Sequence, residues 1–359
     1  MKEGKWAMAN RDTAKKAIDE LIRKSRVHFY KPIQIAEILH HHRLNPNAID
    51  LLNLEDYRNK SKKWRNEVSL VLLGRVSTSS ARFQDDLFND NAIPPTILAE
   101  LGKENIHTSG AVEAYIYSKF TNRYSQMSNA LNYALNSSKE DFDVKVFIDG
   151  FRHEAGLRRS IDKVFEIVVY ALFATIVSAL ELQVEISINA EKTTLLSEFP
   201  DFAKMVMCLD VDNMTKTQDA KVYRVGVTNA ADRGLDMYSN WGPAIQIKHL
   251  TLSEEMAEGI VGSVSSDKIV IVCKDAEEKI ILSLLNQMGW RNRIQSIITE
   301  SNLQDWYEKA LRGTYAKDLG SELLSCLCGE IANEFPSVDE TPEIISVRKY
   351  EKIKDDYWV

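Results

Sequence analysis

Residues 233–250, RGLDMYSNWGPAIQIKHL, leave the backbone few choices. Gly242-Pro243 is strong turn punctuation, and the segments flanking Ser239–Pro243 are strand-forming, so the stretch reads as a β-hairpin. The returning segment Ala244–Leu250 alternates with the period of a strand. Side chains at i and i+2 of a strand share a face, which puts Gln246 and Lys248 on one side and Ile245 and Ile247 on the other. The turn brings Asp236 back beside that pair. An acid, an amide oxygen and an ammonium then converge.

Such a set suits metal-assisted phosphodiester cleavage. Mg²⁺ is a hard cation that takes oxygen ligands, which Asp236 and the Gln246 carbonyl supply. The metal polarises the phosphate and acidifies a water, and Lys248 orients that water or offsets charge on the phosphorane. The D…QxK pattern on a hairpin resembles the catalytic signature of the PD-(D/E)xK nuclease superfamily. More narrowly, RGLDMYSNWGPAIQIKHLTL is similar to the HaeII-type restriction endonucleases. The likeness extends over most of the chain, through SRVHFYKPIQIAEILHHHR, WRNEVSLVLLGRVSTSSARFQDDLF and DKVFEIVVYALFATIV. The short pattern recurs by chance in many sequences, so the long strings carry the specificity. The middle position, usually Glu in the superfamily, is Gln246 here. One charge fewer bears on the number of cations held more than on activity. Taken alone, the hairpin also reads as a surface turn with a solvated lysine.

A net charge of −7 sits badly with DNA, because phosphate contacts need Lys and Arg. The distribution changes that picture. The first ninety residues carry 17 Lys and Arg against 12 Asp and Glu, and between Arg58 and Arg82 the one acid is Glu67. A basic module joined to an acidic, metal-holding body fits this asymmetry, although a charge run is more usually a solvated helix face. Lys62, Lys63 and Arg65 surround Trp64. Beyond Gly74 come Arg75, Ser77, Thr78, Ser79, Ser80, Arg82 and Gln84, a mix of phosphate-anchoring hydroxyls and base-reading groups. A helix cap with a polar loop has the same composition.

The rest of the N-terminal part reads as helices. Asp12-Thr13 caps the first, Pro32 opens the second, and 63–73 is a further amphipathic helix. His40-His41-His42 diverge around a helix axis and cannot chelate together. Asn136-Ser137-Ser138-Lys139 is the best linker, dividing the chain into a mainly helical DNA-recognition region, 1–136, and an α/β domain, 137–359. Within the latter, Leu157–Leu180 is a long apolar helix with a single charge, Glu166, after Val164. A lone buried carboxylate needs a partner or a metal. Arg159 or Lys163 on adjacent turns is one answer. The nuclease resemblance implies the other, a supporting carboxylate at the active site that helps hold the metal. His153 and Glu154 are weaker candidates. Strands are expected at 183–189, 204–209, 222–227, 268–273 and 294–299, with helices over 253–260, 275–288 and 302–312. Asp210 and Asp212 form a rival acidic pair, in a stretch that reads as a loop.

The fold expected is therefore α/β, a PD-(D/E)xK core of mixed sheet flanked by helices, plus a mainly helical N-terminal region. Four cysteines without CxxC spacing speak against a zinc site or disulfide framework, and with no signal or spanning segment the expected location is the cytoplasm, away from membrane. No nucleotide-binding glycine motif is present. The resemblance implies a type II restriction endonuclease that uses Mg²⁺ to cut double-stranded DNA at a palindrome with a GCGC core between purine and pyrimidine (RGCGCY). It also implies a cognate DNA methyltransferase as genetic partner. A palindromic site favours a homodimer. Two other readings remain open: a repair or structure-specific nuclease of the same superfamily, and a DNA-binding regulator whose acids are structural.

Overall fold

A computed structural model describes the chain except residues 1–9, 27, 78–84, 155, 226–234, 276–278, 281–282, 284–292, 336–342, 354 and 359. Two units emerge: Met1–Ser137 with Lys145–Val164 and Ile331–Val359, and Ser138–Val144 with Phe165–Glu330. Lys145–Val164 and Ile331–Val359, expected on the far side of a 136/137 division, thus cluster with the N-terminal helices.

In the first unit every described regular element is helical. The helix Arg11–Lys24 is capped by Asn10, whose side chain accepts from Thr13 N–H at 2.8 Å, two residues ahead of the expected Asp12. It buries Ala14, Ile18, Leu21 and Ile22 on one face. The next, Tyr30–Leu44, begins before Pro32 rather than at it, and its middle is buried all round, including Gln34 and Glu37. Leu54–Leu73 starts well before residue 63 and stops at Gly74, whose φ of 64° is the left-handed turn that ends many helices.

Buried acids tie this unit together across the sequence. Glu113, in the helix Ala111–Asn136, accepts from Arg43 (2.8 and 3.0 Å), Asn105 (2.6 Å) and the Tyr350 hydroxyl (2.7 Å), and His40 lies at 3.0 Å. Glu37 takes a two-pronged bond from Arg348 and another from the Tyr117 hydroxyl. These bonds anchor the C-terminal segment. Of the three consecutive histidines, His40 meets Glu113 and His41 stacks on Trp64, as divergent directions around a helix require.

The second unit is α/β. Its main sheet has the order β3-β4-β5-β6-β7, from Val222–Arg224, Met237–Ser239, Ala244–Lys248, Ile269–Cys273 and Ile294–Thr299. The first three strands run antiparallel and the last three parallel, so the sheet is mixed. The helix Glu254–Ser263, capped by Ser253, makes the crossover from β5 to β6. Its Ala257, Ile260 and Val261 bury Ala244, Ile269, Ile271 and Cys273, one face of the central strands. β6 reads Ile-Val-Ile-Val-Cys and is buried along its whole length, as parallel strands covered on both faces are. The helix Glu300–Arg312 packs against Ile161–Ala179, where the Tyr307 hydroxyl donates to Val168 O at 2.8 Å.

Strand β1 (Gln183–Ser187) pairs antiparallel with β2 (Thr215–Asp219) in a separate two-stranded ribbon. The strand expected at 204–209 is instead a π-helical turn, Ala203–Met207, closed by Cys208 in the left-handed conformation. Pro200 starts a helical turn just ahead of it, and the chain continues that winding. Most of the helix expected at 275–288 lies outside the described residues.

Candidate active site

The β4–β5 hairpin positions the acid and the amide. Gly242, at φ 128°, supplies the backbone conformation that turns the chain, and Ser239 N–H donates to Pro243 O at 3.1 Å across it. Asn240 fastens the turn to the chain ahead of β3, accepting from Lys221 N–H and donating to Asp219 O, both at 2.8 Å. The register sets Met237 opposite Ile245 and Tyr238 opposite Ala244. Asp236 therefore falls one residue before β4, where Val225 N–H still bonds its carbonyl at 2.9 Å.

From there the Asp236 carboxylate reaches across to β5. Its Oδ2 accepts from Ile247 N–H at 2.7 Å and from the side-chain amide of Gln246. The orientation of that amide follows from its neighbour: oxygen facing a carboxylate would repel, so the nitrogen faces Asp236. The Gln246 oxygen then points elsewhere. It is buried in a residue only 1% exposed, and no hydrogen-bond donor meets it among the described residues. An acceptor left in this state costs about 1–3 kcal/mol, which a bound cation would offset. Lys248 follows two residues on, half-buried, at the end of β5.

Cross-strand partners share a sheet face, so the pairs Gln246–Ile271 and Lys248–Cys273 lie on the side covered by Glu254–Ser263. Tyr238 lies there too, two residues past Asp236, stacked on Tyr223 with ring centroids 5.0 Å apart. Reading the hairpin for charge alone passes over this half-exposed aromatic pair, although strand alternation from Asp236 already places Tyr238 on the same side.

Glu166 is buried in a different cluster. Arg224 of β3 reaches it at 3.7 Å and Glu330 at 3.0 Å. Arg224 pairs with Met237, so strand alternation puts it on the face opposite Gln246 and Lys248. Asp236 and Gln246 are thus brought together, with Lys248 on the same side, while the partner described for Glu166 is a cation from a strand distant in sequence. Among the described residues, no group of three or more His, Cys, Asp and Glu side chains is placed to hold a metal ion. A cation at the hairpin would take the Asp236 carboxylate as ligand, and the Gln246 oxygen only once the amide turns that oxygen toward it.

The family model described as HaeII restriction endonuclease matches residues 14–350. The chain belongs to that family. It is 55% identical over 344 residues to the type II restriction enzyme HaeII of Haemophilus aegyptius, covering 95% of this chain and 97% of that one. It is 54% identical over 332 residues to the type II restriction enzyme NgoBI of Neisseria gonorrhoeae, covering 92% and 94%. No solved structure matches. As a member of this family the chain is a type II restriction endonuclease.

The other candidates in this restriction endonuclease divide sharply. Arg65 is 2% exposed, with its guanidinium on Gln34 (3.0 Å) and Asn66 (2.7 and 3.1 Å). Burial pulls its pKa down, and it reads no base from that position. Lys62 and Arg58 share the Asp85 carboxylate, each at 2.7 Å, which holds Asp85 below the usual carboxylate range. Lys63 projects into solvent, with Glu67 at 4.0 Å. Arg75 donates to Asn333 O at 2.7 Å, and Ser77 is half-buried. Thr78, Ser79, Ser80, Arg82 and Gln84 lie outside the described residues. Asp210 is a turn-former: its Oδ1 accepts from the backbone of Asp212 and Asn213 and from the Asn213 amide, which lowers its pKa. Gln126 occupies Glu154, and His153 is exposed. No helix among the described residues is long and apolar enough to cross a membrane.

Proposed function

We propose that this restriction endonuclease cleaves both strands of DNA with Mg²⁺ held by Asp236 and the Gln246 carbonyl, on a PD-(D/E)xK-like core. The observation that carries the reading is the buried Gln246 oxygen without a hydrogen bond, beside a carboxylate already fixed by two donors. When bound there, Mg²⁺ supplies positive charge that polarises the scissile phosphate. The chain's own groups do the positioning. Ile247 N–H fixes the Asp236 carboxylate against β5 so that little reorganisation is needed on binding. The Lys248 ammonium donates to the attacking water, orients it in line with the leaving oxygen, and offsets charge that accumulates on the phosphate. Glu166 acts at most through Arg224, as a supporting carboxylate.

The recognition site proposed is the palindrome RGCGCY, with Lys62, Lys63, Arg75, Ser77, Thr78, Ser79, Ser80, Arg82 and Gln84 as candidate contacts. A two-fold site is met most simply by a homodimer with one active site per strand. The enzyme would act in the cytoplasm, where a cognate methyltransferase protects the host's own sites. Incubating unmethylated plasmid with Mg²⁺ and mapping the ends tests this reading. Discrete fragments ending at RGCGCY are expected. A smear, cutting confined to branched DNA, ends at another sequence, or specific binding without strand breaks in Mg²⁺ would overturn the reading.

A further inference from the structure

Leu180–Asp219 has almost no core of its own. Of these forty residues only Leu196, Ala203 and Leu209 are buried. Of the twenty-four large apolar side chains exposed among the described residues, ten lie between Leu180 and Val211. Met205 is the most exposed of all at 82%, and Leu180, Phe199, Phe202 and Val206 are each more than half exposed. The segment is a two-stranded ribbon, β1 and β2, carrying the short turns of 189–207 at its end. A lone two-stranded ribbon is marginal in water, and apolar side chains at its tip make it more so.

We propose that this ribbon arm is the surface through which two copies of the chain associate. Summed over the arm, the exposed apolar side chains come to on the order of 800 Å², about what each partner contributes to a standard interface. DNA does not suit the arm, which holds eight Asp and Glu against three Lys and would repel phosphate. A second copy does, because an isologous contact lays each apolar tip on its twin and leaves the charges at the rim. The proposal rests on the double-strand nuclease reading for its purpose, since one copy then serves each strand.

The arm's charge gives the association a signature. Like charges on the two arms repel, so raising the salt concentration tightens the dimer, whereas the same salt weakens DNA binding. The test is sedimentation equilibrium of the full chain and of Met205→Asp/Val206→Asp across a salt series, with circular dichroism to confirm folding. The wild type should be a dimer that strengthens with salt, and the variant should dissociate at least ~100-fold more readily, because unpaired charge is buried at the contact. Hydrogen exchange of wild-type 183–219 should slow as protein concentration rises, which decides the matter if the variant fails to fold. A variant that stays dimeric, a wild type monomeric throughout, or arm exchange independent of concentration overturns the proposal. Plasmid cutting read in the same samples separates the two ideas: a wild-type dimer that cuts nothing in Mg²⁺ refutes the proposed Mg²⁺-dependent double-strand cleavage and leaves the interface standing.

Discussion

Asp236 does two things with one carboxylate, and two substitutions separate them. Its Oδ2 receives Ile247 N–H at 2.7 Å and the Gln246 amide, so Asp236→Ala strands both donors where β5 is buried. A hydrogen bond to a charged group is worth about 1.5–3 kcal/mol, and an orphaned buried donor costs about as much, so the alanine variant should lose about 3 kcal/mol or more of stability. Asp236→Asn keeps an oxygen for Ile247 N–H and should lose only about 1–2 kcal/mol. Both variants remove the negative ligand. Cleavage should therefore fall about 10³-fold or more in each, on the order of 4 kcal/mol of barrier. Urea unfolding followed by circular dichroism gives the stabilities, single-turnover cleavage in Mg²⁺ gives the rates, and a gel shift in Ca²⁺ gives binding, which should survive or tighten as repulsion toward phosphate is relieved. A folded Asp236→Asn that cuts within about tenfold of the wild type refutes the reasoning and reduces the carboxylate to a clamp between strands.

Lys248→Ala should abolish cutting and weaken binding in Ca²⁺ only slightly; near wild-type cutting would remove the lysine from the mechanism. Gln246→Glu sets a second carboxylate against Asp236, so the metal-free variant should melt lower than the wild type at neutral pH and be restored by Mg²⁺ or Mn²⁺, with appreciable cleavage retained. A metal-induced rise in Tm no larger than the wild type's would count against a cation at this place. Burial alone would raise the Glu113 carboxyl, but bonds from His40, Arg43, Tyr350 and Asn105 outweigh it and hold the pKa at about 2 instead of 4.5. A carboxyl lowered in this way stabilises the fold fully above about pH 4.5 and loses that contribution, about 3 kcal/mol, as the pH falls toward 2. Unfolding free energies measured from pH 6 to 2.5 should show the loss in the wild type and a flatter profile in Glu113→Gln. Arg65→Ala should lower stability by several kcal/mol, whereas Lys63→Ala should leave stability within about 0.5 kcal/mol, as surface substitutions do. Urea midpoints settle which of the two is structural.

The hairpin was legible because its signals are local. Gly242-Pro243 forces a turn, the alternation after it forces a strand, and together they bring Asp236 to Gln246 whatever the rest of the chain does. β6 was equally plain, an uninterrupted apolar run with helix on one side and parallel strands on either edge. KMVMCL has the same composition and became a helical turn, because a short apolar run carries no period to choose by. Strand propensity assumes a sheet to pack into. Met205 and Val206 instead face solvent in the single chain, so local winding after Pro200 decided the conformation.

Arg65 and Glu166 find their partners in opposite ways. The basic run reads as a count of charges, yet five of the seven buried positions of its helix, Tyr57, Ser61, Arg65, Val68 and Leu72, step by four, four, three and four residues, with Ser69 and Leu73 widening the same stripe. Arg65 is therefore on the inward stripe, and its helical phase alone could have shown it to be structural. Glu166 offered no such clue. Its expected partners were on the preceding turns of the same predicted helix, but the cation described beside it, Arg224, is fifty-eight residues later on an edge strand. The Glu37–Arg348 pair, 311 residues apart, hid the C-terminal segment's place among the N-terminal helices in the same way. Burial demands a counter-charge for each of these acids, and only the folded topology chooses which one arrives.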